Sequence, residues 1–93
     1  MNPEAASKSI KFAPHCTWKK MGQEIVVLDL NSGYYFTLNP TAAAFWENLV
    51  QGAKVEEVAG LIATEFNISA EIALVDLVEF LEKLRSEHLI EWA

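Results

Sequence analysis

The run Leu28-Asp29-Leu30-Asn31-Ser32-Gly33-Tyr34-Tyr35-Phe36-Thr37-Leu38-Asn39-Pro40-Thr41 packs several structural signals into one short stretch. An aliphatic strand leads into Asn31-Ser32-Gly33, where asparagine and glycine tolerate the positive φ of a tight hairpin loop. A second, aromatic strand follows from Tyr34 to Leu38. It stops at Asn39, whose side chain suits a helix N-cap, and at Pro40, whose missing N–H costs nothing at the first helical position. A strand, a turn, a strand and a helix start in such close succession leave the chain few ways to fold. The aromatic strand is also a candidate sheet edge, and an edge offers its free backbone groups to another chain.

The flanking sequence extends this pattern. Thr17-Trp18-Lys19-Lys20 is a short first strand, Met21-Gly22-Gln23 a turn, and Glu24–Leu30 a second strand rich in Ile, Val and Leu. Three short strands joined by tight turns form an antiparallel meander. Alternation within the aromatic strand separates Tyr34, Phe36 and Leu38 from Tyr35 and Thr37. Phe36 and Leu38 are placed inward, because Leu38 feeds directly into a packed helix.

The second half reads as helical. From Pro40 to Val50, Ala42, Phe45, Trp46 and Leu49 make an apolar stripe, and Gly52 sits where a helix-terminating glycine would. Lys54 to Glu65 repeats the pattern with Val55, Val58, Ile62 and then Phe66, and Asn67 is the expected stop. Ser69 caps a longer third helix to about Glu87, with Glu71 in its first turn complementing the helix dipole. At 100° per residue, Leu74, Leu77, Val78, Leu81, Leu84 and Arg85 fall on one side, the expected core stripe. Phe80 lies on its shoulder beside Leu77 and Leu84, with Asp76, Lys83 and Glu87 just beyond. An aromatic bordered by charges of both signs is a candidate contact site. Leu89-Ile90-Glu91-Trp92 adds a terminal strand or packs back on the helices. The order is α+β: a three-stranded antiparallel sheet followed by three helices, in one domain from residue 17 to 93. Residues 1–16, polar at their start, are expected to be a mobile tail.

Composition narrows the function. Seven Lys+Arg against thirteen Asp+Glu leave a formal charge of −6. That balance disfavours a nucleic-acid partner, since affinity for a phosphate backbone rests on Lys and Arg. Hydrophobic residues at 52% and charged residues at 22% describe a globular chain rather than a disordered one. A lone Cys16 allows no internal disulfide and fits a reducing compartment. No apolar run approaches the roughly 20 residues of a membrane span, and no signal peptide is visible. A cytoplasmic location is therefore expected, with no membrane partner.

Catalytic chemistry finds no footing. His15 and His88 lie far apart in sequence, without a nucleophile–base motif. His15-Cys16 offers two adjacent metal ligands but no second pair, and Glu56-Glu57 is accounted for by a helix start. Phosphate loops, Cys-x-x-Cys and His-Glu-x-x-His motifs are absent from the sequence. The expectation is a binding module, not an enzyme, with neither cofactor nor metal.

Leu28-Asp29-Leu30-x-x-Gly33-x-Tyr35-Phe36-x-Leu38-Asn39-x-x-Ala42, with Trp46, Gly52 and Asp76-Leu77-x-x-Phe80-Leu81-x-x-Leu84, resembles the PqqD-like family. That family is also known as the RiPP precursor peptide recognition element. The likeness runs from about Glu24 to Glu91 and is greatest to stand-alone members from lasso-peptide clusters. It implies a winged-helix-like domain without catalytic activity. A precursor's leader segment would add as a further strand beside the aromatic strand, in a groove closed by the third helix. Carried over, the edge is Tyr34, Tyr35, Phe36, Thr37 and Leu38, and the opposite wall is Asp76, Leu77, Phe80, Lys83 and Leu84. The implied partners are a leader peptide and the leader peptidase or other modifying enzyme that receives it. One departure is His88, where family members often carry glycine, so the end of the last helix is expected to differ. Two other readings stand beside this one: a winged-helix DNA-binding regulator, and a structural subunit that dimerises through its own edge. As a peptide-binding adaptor the chain is expected to be a monomer or a weak homodimer.

Overall fold

The computed structural model describes residues 10–92, the side chain of Trp92 excepted. Its sheet is a meander of β2 (Cys16–Met21), β3 (Glu24–Asp29) and β4 (Tyr35–Leu38), preceded by β1 (Ile10–Phe12). Helices α1 (Pro40–Val50), α2 (Val55–Phe66) and α3 (Ala70–Ser86) follow, and β5 (Ile90–Trp92) ends the chain. The meander has the order β2-β3-β4, antiparallel throughout, and β1 and β5 form a separate two-stranded ribbon. This is the expected α+β architecture, a three-stranded antiparallel sheet followed by three helices.

Local chemistry sets the element ends. Gly33 takes φ +79°, a conformation that favours glycine, in the turn before β4. The Asn39 side chain accepts a hydrogen bond from the Ala42 N–H at 2.9 Å, with Pro40 opening α1. Gly52, at φ +93°, follows the Gln51 C-cap as expected. Asn67 closes α2 in the left-handed region, and Ser69 caps α3 through the Ile72 N–H at 3.1 Å.

The end of α3 shows what His88 does in place of glycine. The Leu89 N–H donates to the Leu84 carbonyl at 3.0 Å, and the His88 N–H donates to the Arg85 carbonyl at 3.0 Å. This is the Schellman pattern, and it requires a left-handed residue just past the cap. His88 adopts φ +61° to satisfy it. The helix thus ends as a glycine would end it, with the strain carried by a histidine.

One face of the sheet packs on the helices. Ile25, Val27 and Leu38 join Phe45, Trp46, Leu49, Ile62, Leu77 and Leu81 in a single core. Phe36 and Leu38 face inward as expected, half-buried and buried. Trp46 is fully buried at the centre, with Phe12 and Trp18 edge-on to it at 4.8 and 6.3 Å between ring centroids. The buried stripe of α3 comprises Ala73, Leu77, Leu81 and Leu84. It is turned slightly from the expected one: Leu74 and Val78 are only half-buried, and Arg85 is exposed and paired with Glu82 at 2.8 Å.

Two details depart from the sequence reading. Ile10–Phe12 lie within the segment expected to be a mobile tail, yet they pair with β5, and Phe12 packs on Trp46. Cys16, also in that segment, begins β2. Residues 1–9 of the expected tail lie outside the described residues. The terminal Leu89-Ile90 segment does both things that were open to it: Ile90 pairs with Phe12, and Leu89 is fully buried.

Candidate functional site

Asp29 organises the turn that delivers β4. Its Oδ1 accepts from the Asn31 N–H at 2.9 Å and the Ser32 N–H at 3.4 Å, while its carbonyl accepts from the Gly33 N–H at 2.8 Å. The Tyr34 N–H is taken by the Ser32 hydroxyl at 3.2 Å. The Asn31 N–H, aided by Ser32 and the nearby His15, holds the Asp29 carboxyl below its usual pKa. Burial, and then the Asp29 charge, push the Cys16 thiol up. The Leu30 N–H donates to the His15 carbonyl at 2.8 Å, tying this turn to the loop before β2.

The phase of the β3–β4 ladder decides which backbone groups remain free. The Asp29 N–H donates to the Tyr34 carbonyl at 2.9 Å, so these two form a hydrogen-bonded pair. Such pairs alternate with non-hydrogen-bonded ones along an antiparallel ladder. In the observed register, Leu28 opposite Tyr35 and Val26 opposite Thr37 are the non-bonded pairs. Tyr35 and Thr37 therefore aim their N–H and C=O groups away from β3, along the open side of β4. Among the described residues no strand lies there.

Helix α3 faces that open side across a groove. One cavity of about 310 Å³ is bounded by Phe36, Thr37, Leu38, Phe80, Lys83 and Leu84, with Asn39, Ala42 and Glu87 at its ends. A second, of about 460 Å³, shares Asn39, Ala42, Phe80 and Lys83 with it and continues over the start of α1 to Asp76, Glu79 and Phe45. Together they form one trough, apolar on its floor and charged on its α3 rim. Phe80 is half-buried, with Leu84 almost wholly buried below it. Among the described residues, neither Asp76 nor Lys83 makes an ion pair.

The structure brings together most, though not all, of the expected residues. Phe36, Thr37, Leu38, Phe80, Lys83 and Leu84 share one cavity, and Asp76 borders the next. Leu77 does not belong with them. It is fully buried in the core and borders neither cavity, so its position on the helix face supports the wall without forming it. Tyr34 and Tyr35 are 73% and 69% exposed and also lie outside the trough. Tyr34 sits in the turn, and Tyr35 points to the outer face of the sheet because alternate residues of a strand do.

Asn39, Ala42 and Glu87 line the trough without having been singled out as site residues. Asn39 and Ala42 carried a signal, since the N-cap and first turn of α1 must abut the end of β4. Glu87 was visible as a flank charge beyond Phe80.

Two other cavities do not border β4. One of about 190 Å³ lies beside the Lys20–Glu47 ion pair, which closes at 2.8 Å between β2 and α1. Another of about 700 Å³ lies along the β1–β5 ribbon beside His15 and His88. Among the described residues no three His, Cys, Asp or Glu side chains gather as a metal site. No described helix is long and apolar enough to cross a membrane.

Two solved structures share this fold. TbiB1 in complex with the TbiA(beta) leader peptide is 28% identical, with a TM-score of 0.83 over 87% of this chain and 94% of that one. Lasso peptide synthetase B1 complexed with the leader peptide shares the fold at 24% identity, with a TM-score of 0.83 over 89% and 98% of the two chains. No curated protein matches the sequence. The family described as coenzyme PQQ synthesis protein D matches residues 24–90, and the chain belongs to that PqqD family.

Proposed function

We propose that this chain binds the leader segment of a ribosomally synthesised precursor peptide by strand addition at β4. It then delivers that peptide to a modifying or leader-removing enzyme, in lasso-peptide biosynthesis. The observation that carries the reading is the conjunction of a free β4 edge with an apolar trough under Phe80. The likeness to TbiB1, solved with a leader peptide, supports the same reading. The site comprises Phe36, Thr37, Leu38, Phe80, Lys83 and Leu84, with Asp76 at one end.

The energetics say which contacts matter. Each backbone hydrogen bond along the edge contributes about 1 kcal/mol net. Ordering each peptide residue costs about 1–2 kcal/mol, so the pairing alone roughly cancels. Micromolar affinity needs about −8 kcal/mol. The remainder must come from side chains entering the trough, at about 25 cal/mol per Å² of apolar surface buried. Phe80 and Phe36, both half-buried, therefore supply affinity, while Asp76 and Lys83 set register and selectivity.

A DNA-binding role fits the arrangement of helices but not their charge. Helix α2 displays Glu56, Glu57 and Glu65 in exposed positions, an unfavourable surface for phosphates. The decisive experiment is calorimetric titration of leader peptides from candidate precursors into the full chain. Saturable binding that falls on Phe80→Ala supports the reading, and tight duplex DNA binding at low salt would replace it.

A further inference from the structure

We infer that recognition at β4 is two-sided: the outer face of the sheet, through Tyr35 beside Leu28, selects the peptide side chains that point away from the trough. The inference rests on the strand-addition reading above and specifies which peptides that site accepts.

Three observations lead to it. The free backbone groups belong to Tyr35 and Thr37, so an added strand is anchored at those two positions. Directly opposed residues share a face of the sheet, whichever way the new strand runs. The peptide residue opposite Phe36 consequently enters the trough, while its two neighbours emerge on the outer face opposite Tyr35 and Thr37.

That outer face is mixed, and apolar at Val26, Leu28 and Tyr35. Thr17, Leu28 and Tyr35 form one cross-strand row, and Lys19, Val26 and Thr37 form the next. Leu28 and Val26 are only half-buried, and Tyr35 stands 69% exposed at the end of its row, beside the open edge. An apolar cavity of about 270 Å³ lies further in, between Thr17, Met21, Val26 and Leu28. A peptide side chain opposite Tyr35 extends the first row by one place and covers its exposed ring. Aromatic and branched aliphatic residues gain most there, because cross-strand pairs of these types attract one another. The preferred peptide therefore carries apolar residues at consecutive positions, one for each face. A groove acting alone would select them at every second position only.

The test begins with a displayed library of random 12-residue peptides selected on the full chain. The tightest peptide is synthesised, scanned with serine at each position, and titrated against the wild type, Phe80→Ala and Tyr35→Thr. Threonine retains strand propensity at an exposed site, so the fold is kept, and a thermal melt verifies this. Tyr35→Thr is expected to weaken binding about two- to fivefold. The loss should vanish when one particular peptide residue is already serine. That residue should lie an odd number of positions from the residue coupled to Phe80. Phe80→Ala weakening binding while Tyr35→Thr does not, or coupling of both to positions of the same parity, overturns the two-sided inference and leaves strand addition standing. Failure of the wild type to select any peptide overturns strand addition itself, and the inference with it.

Discussion

Phe80 on α3 leans on Phe45 of α1, their ring centroids 6.1 Å apart and their planes tilted by 36°. Phe45 is 3% exposed, so the aromatic wall of the trough is backed by the core rather than by solvent. Such support holds Phe80 in place before a ligand arrives and lowers the entropy cost of binding.

Phe80→Ala is accordingly expected to weaken leader-peptide binding by at least about 1 kcal/mol, roughly fivefold, as a central aromatic anchor should. Isothermal titration measures this directly. An unchanged affinity in a folded variant would remove Phe80 from the site.

Phe12→Ala tests whether the first strand is part of the domain. Phe12 is half-buried against Trp46, and β1 ties the chain start to β5. The expected loss is about 1–3 kcal/mol, below the range for a fully buried phenylalanine. Urea unfolding followed by tryptophan fluorescence reports it, and a midpoint identical to wild type would return residues 10–16 to the status of a tail.

His88→Gly should stabilise the protein. Left-handed backbone costs a non-glycine residue about 1–2 kcal/mol, and the greater freedom of glycine in the unfolded chain takes back about 0.5–1. Among the described residues, the one side-chain hydrogen bond to His88 is accepted by its carbonyl, from His15 Nε2 at 3.0 Å, and glycine keeps that carbonyl. A net gain of about 0.5–1 kcal/mol should raise the melting temperature by a few degrees. A lower melting temperature would show that the imidazole itself contributes.

Asp29 gives the fold an acid-sensitive point. Its pKa is lowered in the folded chain, first by the Asn31 N–H, so its stabilising contribution is present above the unfolded value near pH 4. That contribution fades as the pH falls through the lower folded value. Stability measured from pH 6 to pH 2 should therefore fall less steeply for Asp29→Ala than for wild type. Parallel curves would count against the turn as the origin of this sensitivity.

The same carboxylate acts on Cys16. Burial and then the Asp29 charge raise the thiol pKa, so the neutral charge of Asp29→Asn should lower it again in part. A disulfide reagent titrated between pH 7 and pH 10 should react faster with that variant at a given pH. Equal rates would leave burial as the whole cause.

Much of this protein was legible in its sequence, because the relevant signals are local. The Asn31-Ser32-Gly33 turn, the Asn39-Pro40 helix start and the Ser69 cap each satisfy backbone groups within a few residues. They appear where residue chemistry places them. Strand alternation likewise put Phe36 and Leu38 inward, and the shoulder position of Phe80 matches its half-buried place beside the core stripe.

What the tertiary structure decided are matters of partnership. Ile10-Lys11-Phe12 is too short an alternation to announce a strand, and its partner lies at the other end of the chain. Leu77 and Phe80 share one side of α3, yet only packing against the sheet and α1 sends Leu77 into the core and leaves Phe80 lining the trough. The resemblance counts Tyr35 in the peptide-binding edge; its side chain points outward, as alternation implies, and only the hydrogen-bonding phase of the β3–β4 pair turns its backbone toward the open edge. Sequence determined which segments become strands and helices, since caps, turns and periodicity act over a turn or two. Which faces remain uncovered depends on contacts between segments far apart in the chain, and those exist only once it has folded.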